Sequence, residues 1–125
     1  MSEYEGRQDE IRDLKMPEIE IFHNVYTDSE FQITHAALEF NSICPKTGLP
    51  DFGIITIEYI PNDLCLELKS LKLYLTAYRN VGIFMENSVN KIFCDVRDTI
   101  NPKKLRVTGD FNGRGGIQTS VTRSL

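Results

Sequence analysis

Only two histidines and three cysteines occur among the 125 residues, and Cys44, Cys65 and Cys94 form no Cys-x-x-Cys pair. Any pairing scheme leaves one thiol over, so neither a disulfide framework nor a zinc knuckle is indicated, and all three read as reduced thiols. His23 and His35 lack metal-ligand spacing; a satisfied strand histidine accounts for each, and no metal is expected. No apolar run approaches the roughly 20 residues of a membrane-spanning helix, and the opening MSEYEGRQDEIRDLK is charged where a signal peptide has its apolar core. These features predict a cytoplasmic protein without a membrane partner. An excess of basic residues is missing as well. Fourteen Lys and Arg stand against 18 Asp and Glu, for a net charge of -4. A chain of this balance has no broad basic face for a phosphate backbone, so no direct nucleic-acid partner is expected.

What is present suits one compact domain: the hydrophobic content is 41%, enough for a core without staples. Residues 1–16 lack apolar periodicity and are expected to form a polar arm, mobile unless a partner subunit holds it, ahead of a single domain over 17–125. FQITHAALEF from Phe31 and FGIITIEYI from Phe52 are rich in β-branched and aromatic residues and predict two strands. LCLELK alternates, which places Leu64, Leu66 and Leu68 on one face of a further strand. The period then becomes helical: Leu71, Tyr74, Leu75 and Tyr78 form one stripe, and Met85, Val89, Ile92, Phe93, Val96 and Ile100 a second. Gly82 lies near the junction of these two helices, and Pro102 stops the second. KLRVTGDF and GIQTSVT read as strands about NGRGG, whose Asn-Gly pair signals a hairpin. The result is an α+β pattern: an antiparallel four-stranded sheet with two helices on one face, in the order strand, strand, helix, helix, strand, strand.

Two short stretches carry chemistry. ICPKTGLPDF places a thiol, Cys44, before a proline and a carboxylate, Asp51, seven positions on, in a Pro/Gly turn expected to be mostly exposed. In ELKSLKLYL, Ser70 reads as the N-cap of the first helix, with Lys69 and Lys72 at its positive end, where an anion such as a phosphate would relieve the charge. A salt bridge between Glu67 and Lys69, or simple solvation of the lysines, is the plainer account.

Together CPKTGLPDF, ELKSLKLYL, YRNVGIF with Glu86 behind it, and VTGDFNGRGG resemble the NADPH-dependent 7-cyano-7-deazaguanine reductases, the nitrile reductases of the queuosine pathway, over residues 31–120. The resemblance implies the short, single-domain form with the tunnelling fold, assembled as a homo-oligomer, a decamer of two stacked pentamers, with active sites between subunits. It implies that Cys44 attacks the nitrile carbon to form a covalent thioimide while Asp51 handles protons. Two NADPH molecules per turnover then reduce the nitrile to 7-aminomethyl-7-deazaguanine. A thiol suits the attack because it is the most nucleophilic common side chain. A neighbouring carboxylate raises a thiol's pKa, so Asp51 suits proton transfer rather than thiolate stabilisation.

By the same resemblance Glu86 holds the guanine-like edge, with Leu66, Glu67, Leu68 and Met85 along the substrate pocket. Lys69, Ser70 and Lys72 meet NADPH, and Arg114 is a further phosphate or adenine contact, or a support for its turn or an interface. The family usually has histidine where this chain has Met85, and methionine cannot supply the imidazole's donor or acceptor. Cys65 and Cys94 read as structural. Other readings are a cyclohydrolase-like or pterin enzyme of the same fold, a non-catalytic ring-forming purine-binding module, and, more weakly, a cysteine hydrolase built on Cys44 and His35.

Overall fold

The computed structural model describes residues 5–125. Strands β1 (Ile21–His23), β2 (Ile33–Ile43), β3 (Pro50–Ile60) and β4 (Leu64–Leu66) precede helices α1 (Leu68–Thr76) and α2 (Met85–Ile100), and β5 (Lys104–Phe111) and β6 (Ser120–Ser124) follow. The main sheet is antiparallel in the order β2-β3-β5-β6, and β1 and β4 pair as a separate ribbon. The strand-rich and helical stretches therefore lie in the expected order, with the LCLELK strand set apart from the main sheet.

Alternation along β3 makes the core legible. Gly53, Ile55, Ile57 and Tyr59 point to the covered face, where Phe40, Leu71, Tyr74, Tyr78, Val89, Ile92, Phe93 and Val96 meet them. Gly109 in β5 lets α2 approach: a Cβ there would stand 2.6 Å from Val89 Cγ2. The end of α2 is a left-handed C-cap, Asn101 at φ 44°, with Pro102 behind it.

Three local details differ from the sequence pattern. The LCLELK strand ends at Leu66; Leu68 opens α1 and is 62% exposed, so it does not share the face of buried Leu66. Helix α1 is capped by Glu67, not Ser70, because the longer carboxylate reaches back over the first turn and accepts from Lys69 N and Ser70 N, both at 2.8 Å. The tight turn after β5 falls on Gly115-Gly116 rather than on Asn112-Gly113. Arg114 and Ile117 exchange both backbone hydrogen bonds, and the two glycines take the positive φ of 58° and 81° such a two-residue turn needs.

The stretch expected as a polar arm is described from residue 5. Glu5–Asp13 is a 3-10 helix, and Ile11 and Met16 pack against the core behind it.

Candidate active site

A β-bulge decides where the site lies. Ala37 pairs with Ile55 but Phe40 with Gly53, so Leu38 and Glu39 together face one residue of β3. The extra residue reverses the alternation of β2. Before it, the odd residues Ile33, His35 and Ala37 are the more buried; after it Phe40 and Ser42 turn inward. Ser42 then sits directly opposite Asp51, on the covered face.

The turn closes just beyond this pair. Cys44 N donates to Leu49 O and Gly48 N to Cys44 O, both at 2.8 Å, and Gly48 takes φ 71°. The expectation of a mostly exposed turn holds for Lys46–Pro50 but not for its flanks. Cys44 is half-buried, and Asp51, held by β2–β3 pairing, is 3% exposed.

A carboxylate so buried requires a partner, and Arg114 supplies it. Its Nη1 donates to Asp51 Oδ1 across 63 positions of sequence. The Gly115-Gly116 turn aims Arg114, while Asn112 N, bonded to Phe52 O at 2.9 Å, fixes the start of the same loop beside Asp51. Asp51 foremost, and the Cys44 sulfur to a lesser degree, hold the guanidinium above its ordinary pKa. Arg114 therefore stands beside Asp51 and Cys44.

At Cys44 itself, burial pushes the thiol up and Asp51 adds to this. The Thr47 hydroxyl and the N–H groups of Thr47 and Lys46 outweigh both, and the net direction is downward. Thr47 Oγ1 accepts from Leu49 N at 3.2 Å, which leaves its hydrogen for the sulfur. Sequence reasoning passed over Thr47. The signal available was a hydroxyl between the cysteine and a turn glycine, where such side chains fold back onto the local backbone.

The segment before α2 runs along the other flank. Ile43 N donates to Val81 O at 2.9 Å and Ile83 N to Ile43 O at 3.0 Å, a short parallel bridge next to Cys44. It delivers the start of α2, where Met85 is half-buried against the core and Glu86 is exposed in the first turn. Cys44, Asp51, Arg114 and the entry of α2 thus gather at one end of the sheet.

The ELKSLK group lies apart from that cluster and is largely engaged within the chain. Leu66 is core. The Glu67 carboxylate, held below its usual range by the N–H groups of Ser70 and Lys69, is the cap of α1. Ser70 Oγ donates to Glu67 O at 2.9 Å and accepts from Glu20 N at 2.8 Å. A free helix end for a phosphate is therefore not available. Lys69 and Lys72 remain exposed on α1. Lys72 and Arg79 border a cleft of about 560 Å³ between β2 and α1, with Leu68, Leu71 and Leu75 as its apolar wall. Cations above an apolar wall fit a phosphorylated dinucleotide in kind, and Arg79, within the YRNVGIF stretch, is an addition to the expected cofactor contacts.

His35 also borders this cleft, and its Nε2 is buried without a partner among the described residues, unlike the satisfied strand histidine expected. Burial lowers its pKa. It lies well along β2 from Cys44, which removes the basis for a hydrolase dyad. Among the described residues no group of three His, Cys, Asp or Glu is placed to hold a metal, and no helix is long and apolar enough to cross a membrane.

Comparison with known proteins bears on all of this. The family model described as "QueF-like protein" matches residues 50–125. The chain is 57% identical over 107 residues to the NADPH-dependent 7-cyano-7-deazaguanine reductase of Elusimicrobium minutum, covering 86% of this chain and 80% of that one. It is 51% identical over 106 residues to the protein of that name from Chloroherpeton thalassium, covering 85% and 91%. Among solved structures, the apo form of the archaeosine synthase QueF-Like matches with a TM-score of 0.67 at 23% identity, over 77% of this chain and 92% of that one, which is a likeness of fold.

Proposed function

Because the chain belongs to the QueF-like family, we propose that it is an NADPH-dependent nitrile oxidoreductase that reduces 7-cyano-7-deazaguanine to 7-aminomethyl-7-deazaguanine, a cytoplasmic step of queuosine biosynthesis. The observation that carries the reading is the half-buried Cys44 in a donor-rich turn, backed by the buried Asp51–Arg114 pair.

In the first step the Cys44 sulfur bonds to the nitrile carbon, the carbon–nitrogen triple bond becomes double, and the thiol proton passes by way of Asp51 to the nitrogen. The thioimide keeps the substrate attached through the reduction. NADPH supplies the hydrides, two per turnover, and with two protons the nitrile becomes a primary amine and two NADP+ are released. Arg114 donates to the Asp51 carboxylate and fixes it in place to take the proton, and the three donors in the turn favour the thiolate as that proton leaves. Glu86 pairs with the adjacent N–H donors of the deazaguanine edge, and Met85 forms the neighbouring wall. Lys72 and Arg79, on the same wall of the cleft, with Lys69 one turn earlier on α1, would hold the phosphates of NADPH, while Glu67 caps the start of α1 and Ser70 braces it.

The same proposal makes the molecule a homo-oligomer, a decamer of two stacked pentamers. Support comes from the unpaired edges of the main sheet, β2 and β6, and from Leu38, 69% exposed on one of them. The cyclohydrolase-like and non-catalytic alternatives account less well for a nucleophile so equipped.

An intact-mass measurement tests the chemistry. Incubated with 7-cyano-7-deazaguanine and no NADPH, the protein should gain the mass of one nitrile. Cys44→Ala should remove the gain and Cys65→Ala should leave it. An adduct on Cys65 or Cys94, or none at all, would refute the assignment.

A further inference from the structure

Helix α2 begins at Met85 without a side chain of its own segment capping it: Phe84, at the cap position, makes no such bond. The first N–H groups of a helix need acceptors from somewhere. Here the acceptor comes from the far end of the chain. Gln8 Oε1 accepts from Phe84 N at 3.2 Å and from Asn87 Nδ2 at 3.1 Å, while Gln8 Nε2 donates to Gly82 O at 3.1 Å. One amide thus grips both sides of the turn into α2 across more than 70 positions of sequence.

Gly82 is the residue bridged to Ile43 on its opposite side, so the 81–84 segment is held between Gln8 and the strand end that carries Cys44. A second tie keeps the 3-10 helix in place. Lys91 Nζ, buried and paired with Asp95 at 3.3 Å, donates to Arg12 O at 3.3 Å.

We propose that Gln8 is a positioning residue for substrate binding: its amide clasp sets the entry of α2 and thereby the place of the Glu86 carboxylate relative to Cys44. The inference rests on the reductase reading for the ligand, but the clasp itself does not depend on it. Gln8 touches no reacting atom, so its loss acts on recognition. Cys44 still adds, yet the Glu86 carboxylate is held less well over the donors it must meet.

The test uses the full chain. Gln8→Ala should raise KM for 7-cyano-7-deazaguanine about three- to tenfold, the scale of one or two lost hydrogen bonds, with kcat and the KM for NADPH changed less than about twofold. Arg7→Ala, which alters an exposed residue of the same 3-10 helix, should leave KM unchanged. In a Glu86→Gln background, Gln8→Ala should add nothing further, because its effect runs through that carboxylate. An equal rise in KM in both backgrounds, or a fall in kcat without a rise in KM, would overturn the proposal.

Amide exchange over residues 82–87 supplies a readout independent of activity. It should accelerate in Gln8→Ala, and unchanged exchange would likewise overturn the clasp. A wild-type protein that reduces no nitrile would instead defeat the reductase reading, with the exchange measurement still deciding the clasp.

Discussion

At the start of α1 the side chains that close the helix end lie within four residues of one another, with the Glu20 backbone joining them from outside, whereas at the turn after β2 the polar groups are drawn from several segments far apart in the chain. Glu67 accepts from Lys69 N and Ser70 N, and Ser70 Oγ returns a bond to Glu67 O. At the other place, Cys44 meets donors from its own turn, Asp51 arrives on the neighbouring strand, and Arg114 comes from the β5–β6 hairpin. Ser42 Oγ, facing Asp51 in register, has no partner among the described residues.

The difference is instructive. A locally closed set of hydrogen bonds secures a helix end and leaves little for a ligand. A set assembled over distance leaves unequal satisfaction, and that is where a substrate can complete the pattern.

The contrast can be broken most severely at Asp51. Asp51→Asn keeps the shape while removing both the carboxylate proposed to carry the proton and the charge opposite Arg114. Turnover should fall by roughly 100- to 10,000-fold, with the substrate KM little altered. A turnover close to wild type in steady-state NADPH oxidation would show that Arg114 and Asp51 form only a structural pair.

The helix end should respond more gently. Lys72→Ala removes one exposed cation from the cleft, so KM for NADPH should rise about three- to tenfold at low salt and less at high salt, as screening weakens the wild-type advantage. The covalent adduct should form as before. Loss of the adduct would place Lys72 at the nitrile and erase the distinction between the two regions.

A smaller effect concerns the thiol. Because the Thr47 hydroxyl and the local N–H groups hold the Cys44 thiol below its ordinary pKa, alkylation of Cys44 should reach half its limiting rate at a lower pH than that of a cysteine in a short unstructured peptide, as reactivity follows the thiolate. Thr47→Val removes one donor, and the midpoint should move upward. An unmoved midpoint would mean that the backbone N–H groups suffice.

The smallest expected change sharpens the wall beside Glu86. Met85 is half-buried against the core rather than enclosed by it, so Met85→His can keep its ring edge toward the ligand. Substrate affinity should rise about fivefold, the worth of one hydrogen bond, with little loss in melting temperature. A lower melting temperature without tighter binding would make Met85 a packing residue.

Much of this was readable from residue order alone. Periods of two and 3.6 locate β3, α1, α2 and β5 because each buries one continuous face, and burial of that face is what the pattern records. The Cys44–Asp51 spacing is legible for a related reason: both flank one short turn, so their proximity is local. Tertiary structure decided the rest. No period announces the bulge at Leu38 and Glu39, since it depends on how β2 registers against β3, yet it turns Ser42 inward opposite Asp51. Glu67 and Ser70 both suit a cap, and only the end of β4 at Leu66 settles which one caps. Arg114 reaches Asp51, and Gln8 the entry of α2, through contacts between segments more than 60 positions apart. Side-chain hydrogen bonds at that range are fixed by how the elements pack, not by any local preference of the chain.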